Sequence, residues 1–362
     1  MNSVTDASLH YAAMRAAIWQ GPGEMTLGTV PDAPCPTDGV LLRTLACGIC
    51  GTDVRAFFNG DRRITAPWVL GHEITGEILA IGADAHEAGD LAVGEVVHCI
   101  STLYCGTCRL CRSGNEHICL HGELMGFDYQ GAYAELVAIP RIALKNLFRL
   151  PAGLSPAHST FADPLSDAIC GHKDIAIGLD QTVAVIGAGP VGTAHCALAR
   201  AQGAANVMLL ETAANRLTLA EQVLGQERLD YVEVAGDASI AAVRDRTGGF
   251  GADVVIVACS SDIAQEQAME MAAPRGRVLF FGGLPKGTTH MRFPSNILHY
   301  QEVQVHGSYA SRYRDQVQAL DMLARDDGGI RGVVSEVVSL AEAPGAFARI
   351  RRGDVLKVVV EP

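Results

Sequence analysis

Two textures of apolar and polar positions divide this chain. Through about residue 160, short β-like runs at 39–45, 76–81, 95–100 and 133–139 are separated by Gly, Pro and Asp and end in turn residues. From about residue 180 the runs become almost wholly apolar, and 183–186, 207–210, 254–257 and 278–281 alternate with helix-like stretches. A strand that is apolar at successive positions has to be covered on both faces. The second half therefore predicts a parallel sheet layered by helices. Beyond residue 301 the pattern predicts a strand, a helix over 314–324 and a last strand over 355–360. The pattern alone leaves open which half this tail joins. No tandem repeat or low-complexity segment is present.

At 362 residues the length suggests two domains, and 49% hydrophobic with 19% charged residues supports ordinary packed cores rather than disorder. A formal net charge of -12 leaves no basic footprint for nucleic acid or an anionic membrane. Residues 1–10 lack an apolar core with a basic flank, so no secretion signal is expected. The longest apolar region, 183–201, is interrupted by Gly187, Gly189, Pro190, Gly192 and His195, which fits a strand, a turn and a helix better than a membrane span. A cytoplasmic setting is the expectation. There, eleven cysteines serve metal binding or packing more readily than disulfides.

Cys105, Cys108, Cys111 and Cys119 are spaced C-x2-C-x2-C-x7-C in a stretch rich in Gly and short polar residues. Four thiolates converging from one loop suit a closed tetrahedral structural Zn2+. An iron–sulfur run opens in a similar way but ends C-x3-C-P, whereas here the last gap is seven residues and Leu120 follows. Two disulfides are the plainer alternative.

Gly187-Ala188-Gly189-Pro190-Val191-Gly192 follows a predicted strand over 182–186 and opens a predicted helix running to residue 202. The next strand ends in Glu211, 19 residues after Gly192, which completes a dinucleotide-binding pattern. The glycines admit a pyrophosphate to the helix N-terminus. Glu211 is suited to accept hydrogen bonds from both ribose hydroxyls and would repel a 2′-phosphate, favouring NAD over NADP. Arg216 is the counter-indication, since a nearby arginine suits that phosphate.

A second Cys/His constellation joins Cys47-Gly48-Ile49-Cys50-Gly51-Thr52-Asp53 to Gly71-His72-Glu73. A catalytic zinc needs three protein ligands and an open position. Cys50 and His72 are candidate ligands, and Asp163, shortly before the second texture begins, is a candidate third. Successive side chains on a regular strand alternate in direction, so His72 and Glu73 share a target only if Gly71 bends the chain. Glu73 is thus either a supporting group or an alternating ligand. Thr52 is placed to pass a proton outward, or simply closes a turn. Cys47 and Cys50 as buried small hydrophobes, and His72 as a hydrogen-bonded turn residue, are the plain readings.

With these residues in view, the chain resembles the zinc-dependent medium-chain dehydrogenases, within them the polyol, sugar and cyclitol branch related to sorbitol dehydrogenase. The resemblance rests on ACGICGTD, LGHEITGEI, the four-cysteine lobe, GAYAELV, ADPLS and VIGAGPVG, in family order across most of the chain. It implies an α/β chain in which a GroES-like β-rich catalytic domain, 1–164 with 309–362, flanks a doubly wound Rossmann NAD-binding domain at 165–308. It also implies two zincs per chain, NAD as cofactor, a small polyhydroxylated substrate and a homodimer or homotetramer. The cysteine ligand falls on Cys50, leaving Cys47 to pack, and the histidine and its adjacent acid fall on His72 and Glu73. Gly282-Gly283-Leu284 and Ser308-Tyr309 match segments beside the nicotinamide. The segment Asn296-Ile297-Leu298-His299-Tyr300 resembles one in sugar and cyclitol dehydrogenases.

Three positions depart from the family pattern. The usual glutamate of EPLS is Asp163, one methylene shorter, which either binds zinc directly or needs a bridging water. The histidine that often ends the proton relay is Arg55, a poor general acid but a good anion ligand, with Arg62 and Arg63 nearby. Arg55 is either an anion contact or a solvated surface residue. The arginine that sorbitol dehydrogenases place near substrate is replaced by Ala310, which disfavours sorbitol itself. The expected activity is reversible NAD-linked oxidation of a secondary alcohol on a polyol, sugar or cyclitol. The alternatives are a threonine dehydrogenase-like or simple alcohol dehydrogenase and, from another class, a catalytically silent NAD-binding structural or regulatory protein.

Overall fold

The computed structural model describes residues 13–284, 287 and 290–362. Residues 1–10, expected to carry no secretion signal, lie outside the described residues. Among the described residues, no helix is long and apolar enough to cross a membrane.

The β-rich half forms a sheet in the order Leu147–Arg149, Val96–Cys99, Glu73–Ile81, Val40–Gly48, Lys357–Glu361 and Val334–Ser339, and Leu136–Ile139 also pairs with Val40–Gly48. All neighbours are antiparallel except the last two strands, which run parallel. The hairpin Met14–Gly21 and Glu24–Val30 belongs to a separate three-stranded sheet with Trp68–Val69. Val40, Leu42, Cys47, Ile74, Ile78 and Val358 bury their side chains in one core with Tyr133 and Phe347.

The tail resolves what pattern left open. Gly48 pairs with Glu73 on one side and with Val359 on the other. The last strand thus completes the first sheet, and segments far apart in sequence are joined beside the Cys50 segment.

The second half is a six-stranded, all-parallel sheet in the order Leu229–Glu233, Asn206–Glu211, Thr182–Ile186, Ala252–Val257, Ala272–Phe280 and Gln304–Gly307. In chain order this is 3-2-1-4-5-6, the doubly wound arrangement whose crevice opens where the order reverses. Both faces are covered, as the apolar runs require. Val183, Val185, Val207, Leu209 and Ile256 face one core, while Ala184, Met208, Leu210, Val255 and Val257 face the other.

A helix, Ala162–Ile175, carries the chain from one sheet to the other, so the boundary expected between residues 164 and 165 falls inside a continuous helix. It packs through Leu165, Ala168 and Ile169 against Leu198, Leu320 and Leu323. The predicted helices over 190–202 and 314–324 form as Pro190–Ala201 and Tyr313–Arg325. The run predicted at 133–139 pairs as a strand only from Leu136, because Ala132 and Tyr133 bond back to Gly71 and Leu70.

Candidate metal and cofactor site

The reactive constellation begins with a helix cap. Cys50 precedes the helix Gly51–Asn59 in extended conformation, and its Sγ accepts from the Thr52 amide at 3.5 Å. Asp53 closes the reciprocal half of that cap by accepting from the Cys50 amide at 3.0 Å. The capping arrangement holds the sulfur at the helix N-terminus, where unpaired amides favour negative charge.

His72 and Glu73 approach from the neighbouring strand. Gly71 adopts φ of +102°, a conformation that disfavours side chains, and it turns the chain just before them. One ligand atom from each of Cys50, His72 and Glu73 then lies within 4.8 Å of the others. The bend removes the strict alternation that would have kept His72 and Glu73 apart. Gly48 is part of the same construction, since a Cβ there would sit 1.9 Å from Glu73 Oε2.

Each donor has support behind it. Asp53 Oδ1 lies 3.0 Å from His72 Nδ1, while Asp53 Oδ2 accepts from the Tyr133 hydroxyl at 3.0 Å. This leaves His72 Nε2 as the ring's outward donor atom and fixes the ring plane. Burial opposes charge on His72, but Asp53 and then Cys50 outweigh it and hold its pKa well above the usual imidazole value. Metal ligation needs the neutral ring, so loading the site releases that proton. Glu73 is paired with the buried Lys357, which also donates to the Ile49 carbonyl at 3.0 Å. Burial raises the Glu73 pKa and Lys357 counters it. Glu73 Oε1 is buried without any hydrogen-bond donor, as suits an atom awaiting a cation. One soft sulfur, one imidazole and one carboxylate, close together with an orphaned oxygen, fit a catalytic Zn2+.

Asp163 is not brought into this set of three. Its carboxylate is occupied by the Ser101 hydroxyl at 2.9 and 3.1 Å and by Gln316 Nε2 at 3.2 Å. The shorter side chain is held by partners from other segments, and Glu73 takes the third place. Asp167, one turn further along, is half-buried, and burial followed by the Asp163 charge pushes its carboxyl well above the ordinary range. Thr52 directs its amide to Cys50, and its hydroxyl lies 3.5 Å from the Arg55 guanidinium.

Asp53, Tyr133, Lys357 and Asp167 were given no role in the sequence reading. Asp53 was visible in the GTD element, but its partner His72 is 19 residues away. An Asp53→Asn enzyme is expected to lose roughly 10- to 100-fold in zinc affinity or activity. Retention of zinc against a chelator series is the measurement, and unchanged retention and turnover would show that the carboxylate does not support His72.

The four-cysteine lobe closes as its spacing suggests. Four of its sulfur pairs are 3.5, 3.5, 3.8 and 3.9 Å apart. A tetrahedron with Zn–S bonds of about 2.3 Å has edges of about 3.8 Å, whereas a disulfide requires about 2.05 Å. All eleven cysteines are unbridged. Amides of Cys105, Cys108 and His121 donate to the sulfurs at 3.3 to 3.4 Å. The Thr107 amide leads in pulling the Cys105 thiol down to about 5, while burial and then Cys108 push Cys111 up to about 12. Four sulfurs this close cannot all be anionic without a cation between them.

At the dinucleotide pattern, the first turn is as tight as it can be. A Cβ at Gly192 would lie 1.8 Å from the Gly187 carbonyl oxygen, whereas one at Gly189 would meet nothing within 4 Å. Gly189 thus faces open space at the start of the helix whose first residues are Pro190 and Val191. Glu211 accepts from the amides of Ala188 at 3.0 Å and Thr212 at 2.7 Å, which outweigh burial and hold its carboxylate below the ordinary range. Arg216 stands 3.9 Å from Glu211. A cavity of about 390 Å3 is lined by Gly187, Glu211, Arg216, Val234, Cys259 and Ile263, next to the reversal of strand order. Gly282 packs so closely that a Cβ would sit 2.1 Å from the Cys259 carbonyl oxygen, while Gly283 is open and Leu284 is half-buried. The Ser308 amide donates to the Phe280 carbonyl, and Tyr309 is 71% exposed. His299 is exposed and lies against Tyr300.

Residues 36–152 match the alcohol dehydrogenase GroES-like domain family, and residues 190–325 match the zinc-binding dehydrogenase family. An L-threonine 3-dehydrogenase of Bacillus licheniformis is 30% identical over 355 residues, covering 96% of this chain and 98% of that protein. The chain belongs to the zinc-dependent medium-chain dehydrogenase family. Among solved structures of this family, alcohol dehydrogenase TADH from Thermus sp. ATN1 superposes with a TM-score of 0.85 at 28% identity, covering 96% of this chain and 99% of that one. A protein from Sinorhizobium meliloti 1021, assigned as a zinc-binding dehydrogenase and solved bound to NADP, gives 0.84 at 29%, covering 97% and 99%. The chain is accordingly an oxidoreductase of the zinc-containing alcohol dehydrogenase family with a GroES-like and a Rossmann-like part.

Proposed function

We propose that this dehydrogenase reversibly oxidises a secondary alcohol on a polyol, sugar or cyclitol, with NAD as the preferred acceptor. The observation that carries the reading is the convergence of Cys50, His72 and Glu73, with the orphaned Glu73 oxygen and the Asp53 brace behind His72. A Zn2+ held there supplies Lewis acidity that lowers the pKa of a bound hydroxyl, and a nicotinamide supplies the hydride acceptor. Thr52 Oγ1 is the hydroxyl through which the chain moves the proton away. Asp167, half-buried and one turn from Asp163, offers a carboxyl group for a further hydroxyl of the substrate. Glu211, held ionised by amides, binds the adenosine ribose and disfavours a 2′-phosphate. We place the catalytic unit at 1–164 with 309–362, the NAD-binding unit at 165–308, a second zinc in the cysteine lobe, and a homodimer or homotetramer as the working assembly.

The L-threonine 3-dehydrogenase relatives favour a second reading, oxidation of a β-hydroxy amino acid. A panel of polyols, cyclitols, simple secondary alcohols and L-threonine, each with NAD and NADP, separates the two. NADH formation is expected with polyhydroxylated substrates, at least about tenfold faster per molar cofactor than NADPH formation. Turnover confined to L-threonine would establish the second reading, and equal use of both cofactors would remove the role given to Glu211.

A further inference from the structure

We infer that Arg55 binds an anionic group of the substrate, so the alcohol oxidised here carries a phosphate or carboxylate at its far end. This rests on the alcohol-oxidation reading and adds the substrate's charge and its orientation in the site.

The chain has 40 acidic and 28 basic residues, and about half of its exposed arginines stand against carboxylates. Arg15 pairs with Glu135, Arg141 with Glu87, Arg149 with Asp90 and Glu95, Arg325 with Asp327, and Arg352 with Asp354. Arg55 is exposed and has no such partner among the described residues. Its side chain contacts the Thr52 hydroxyl at 3.5 Å, and the Thr52 amide in turn lies 3.5 Å from the ligand sulfur of Cys50. One helical turn therefore ties an uncompensated cation to the lip of the reactive site.

The neighbours define where an anion fits. Inside the site, the buried Lys357 is already paired with Glu73 and offers an anion no free charge. On another side, Arg63 stacks on Phe127 at 4.4 Å, and the Phe127 ring lies 5.8 Å from that of His72. Arg63 is chelated by Asp61 at 2.9 and 3.2 Å, so it offers donors at the lip but no net charge. Arg55 offers both, and its contact with Thr52 ties it to the helix turn that carries Cys50. A guanidinium stays protonated and cannot take the proton from Thr52, which removes the relay role. It does match the planar, two-oxygen face of a carboxylate or phosphate. The substrate thus lies with its carbinol toward Cys50, His72 and Glu73 and its anion toward Arg55.

The test compares the zinc-loaded wild type with Arg55→Ala, Arg55→Lys and Arg62→Ala, using sorbitol against sorbitol 6-phosphate, myo-inositol against inositol 1-phosphate, and L-threonine against L-threoninamide. Calorimetric affinity is measured beside kcat and KM. The anionic member of at least one pair is expected to bind roughly 10- to 100-fold more tightly. Arg55→Ala is expected to abolish that preference through KM, with kcat changed only a few-fold, Arg55→Lys to restore part of it, and Arg62→Ala to keep it. The phosphate pairs and the carboxylate pair tell the two anion sources apart. Equal affinity for charged and neutral partners, or a preference that survives Arg55→Ala, overturns the assignment while leaving alcohol oxidation intact. Failure of every alcohol to yield NADH defeats the oxidation reading instead, and the calorimetric comparison still judges Arg55.

Discussion

Replacing Cys50 by Ala is expected to lower kcat/KM by at least about a thousandfold while leaving NAD affinity within a few-fold. Cys50 contributes the sulfur of the three-donor set and also caps the helix that carries Thr52, Asp53 and Arg55. Its loss removes a metal ligand and frees the helix start from which Asp53 braces His72. The dinucleotide pocket is built from Gly187, Gly192 and Glu211 on the other sheet, so cofactor binding should not follow. Cofactor titration by fluorescence, metal analysis and steady-state kinetics on one preparation make the comparison. Cys50→Ser separates the two effects, because a hydroxyl caps the helix well but is a weaker zinc donor. Wild-type turnover in either variant would reject Cys50 as a ligand.

Cys108→Ser is expected to act on stability instead. The lobe has little apolar interior: Cys105, Cys108, Cys111 and Cys119 are only half-buried, and Leu120 is 67% exposed. What holds it closed is the metal the four sulfurs are spaced for. The lobe is also tied to the rest of the fold, since Glu116 accepts from the Tyr313 amide at 3.0 Å at the start of the helix Tyr313–Arg325. Loss of one ligand is expected to cost on the order of 4 kcal/mol and to lower Tm by about 10 °C. Zinc content should fall from two to one per chain, with new proteolytic cleavage between residues 105 and 119. A purified wild type holding a single zinc, or a variant holding two, would contradict the assignment of this lobe.

Short-range signals along the chain were read well, and longer-range ones were not. The alternation of apolar strands with helices, the Gly187 to Gly192 turn and the lobe's cysteine spacing each depend on residues close together in sequence. The helix Gly51–Asn59 was missed because its start is set by a cysteine cap rather than Ser, Thr, Asp or Asn. The helix Ala162–Ile175 was missed because Pro164 reads as a breaker, although in the first turn no intrahelical donor is lost. The strand Val334–Ser339 lies at the edge of its sheet and is exposed along most of its length, so no clean apolar run announced it.

The identities of the candidate donors and the cofactor turn could be read from residue types and local intervals, because thiolates, imidazoles and glycines have few substitutes in those roles. Which carboxylate stands with Cys50 and His72 could not. That choice depends on the bend at Gly71, the room at Gly48 and Lys357, which bonds Ile49 across 308 residues. It also depends on Ser101 and Gln316 engaging Asp163. Such competition between two acids is settled by the packing of strands brought together only on folding, since burial makes each unpaired carboxylate costly and each available donor decisive.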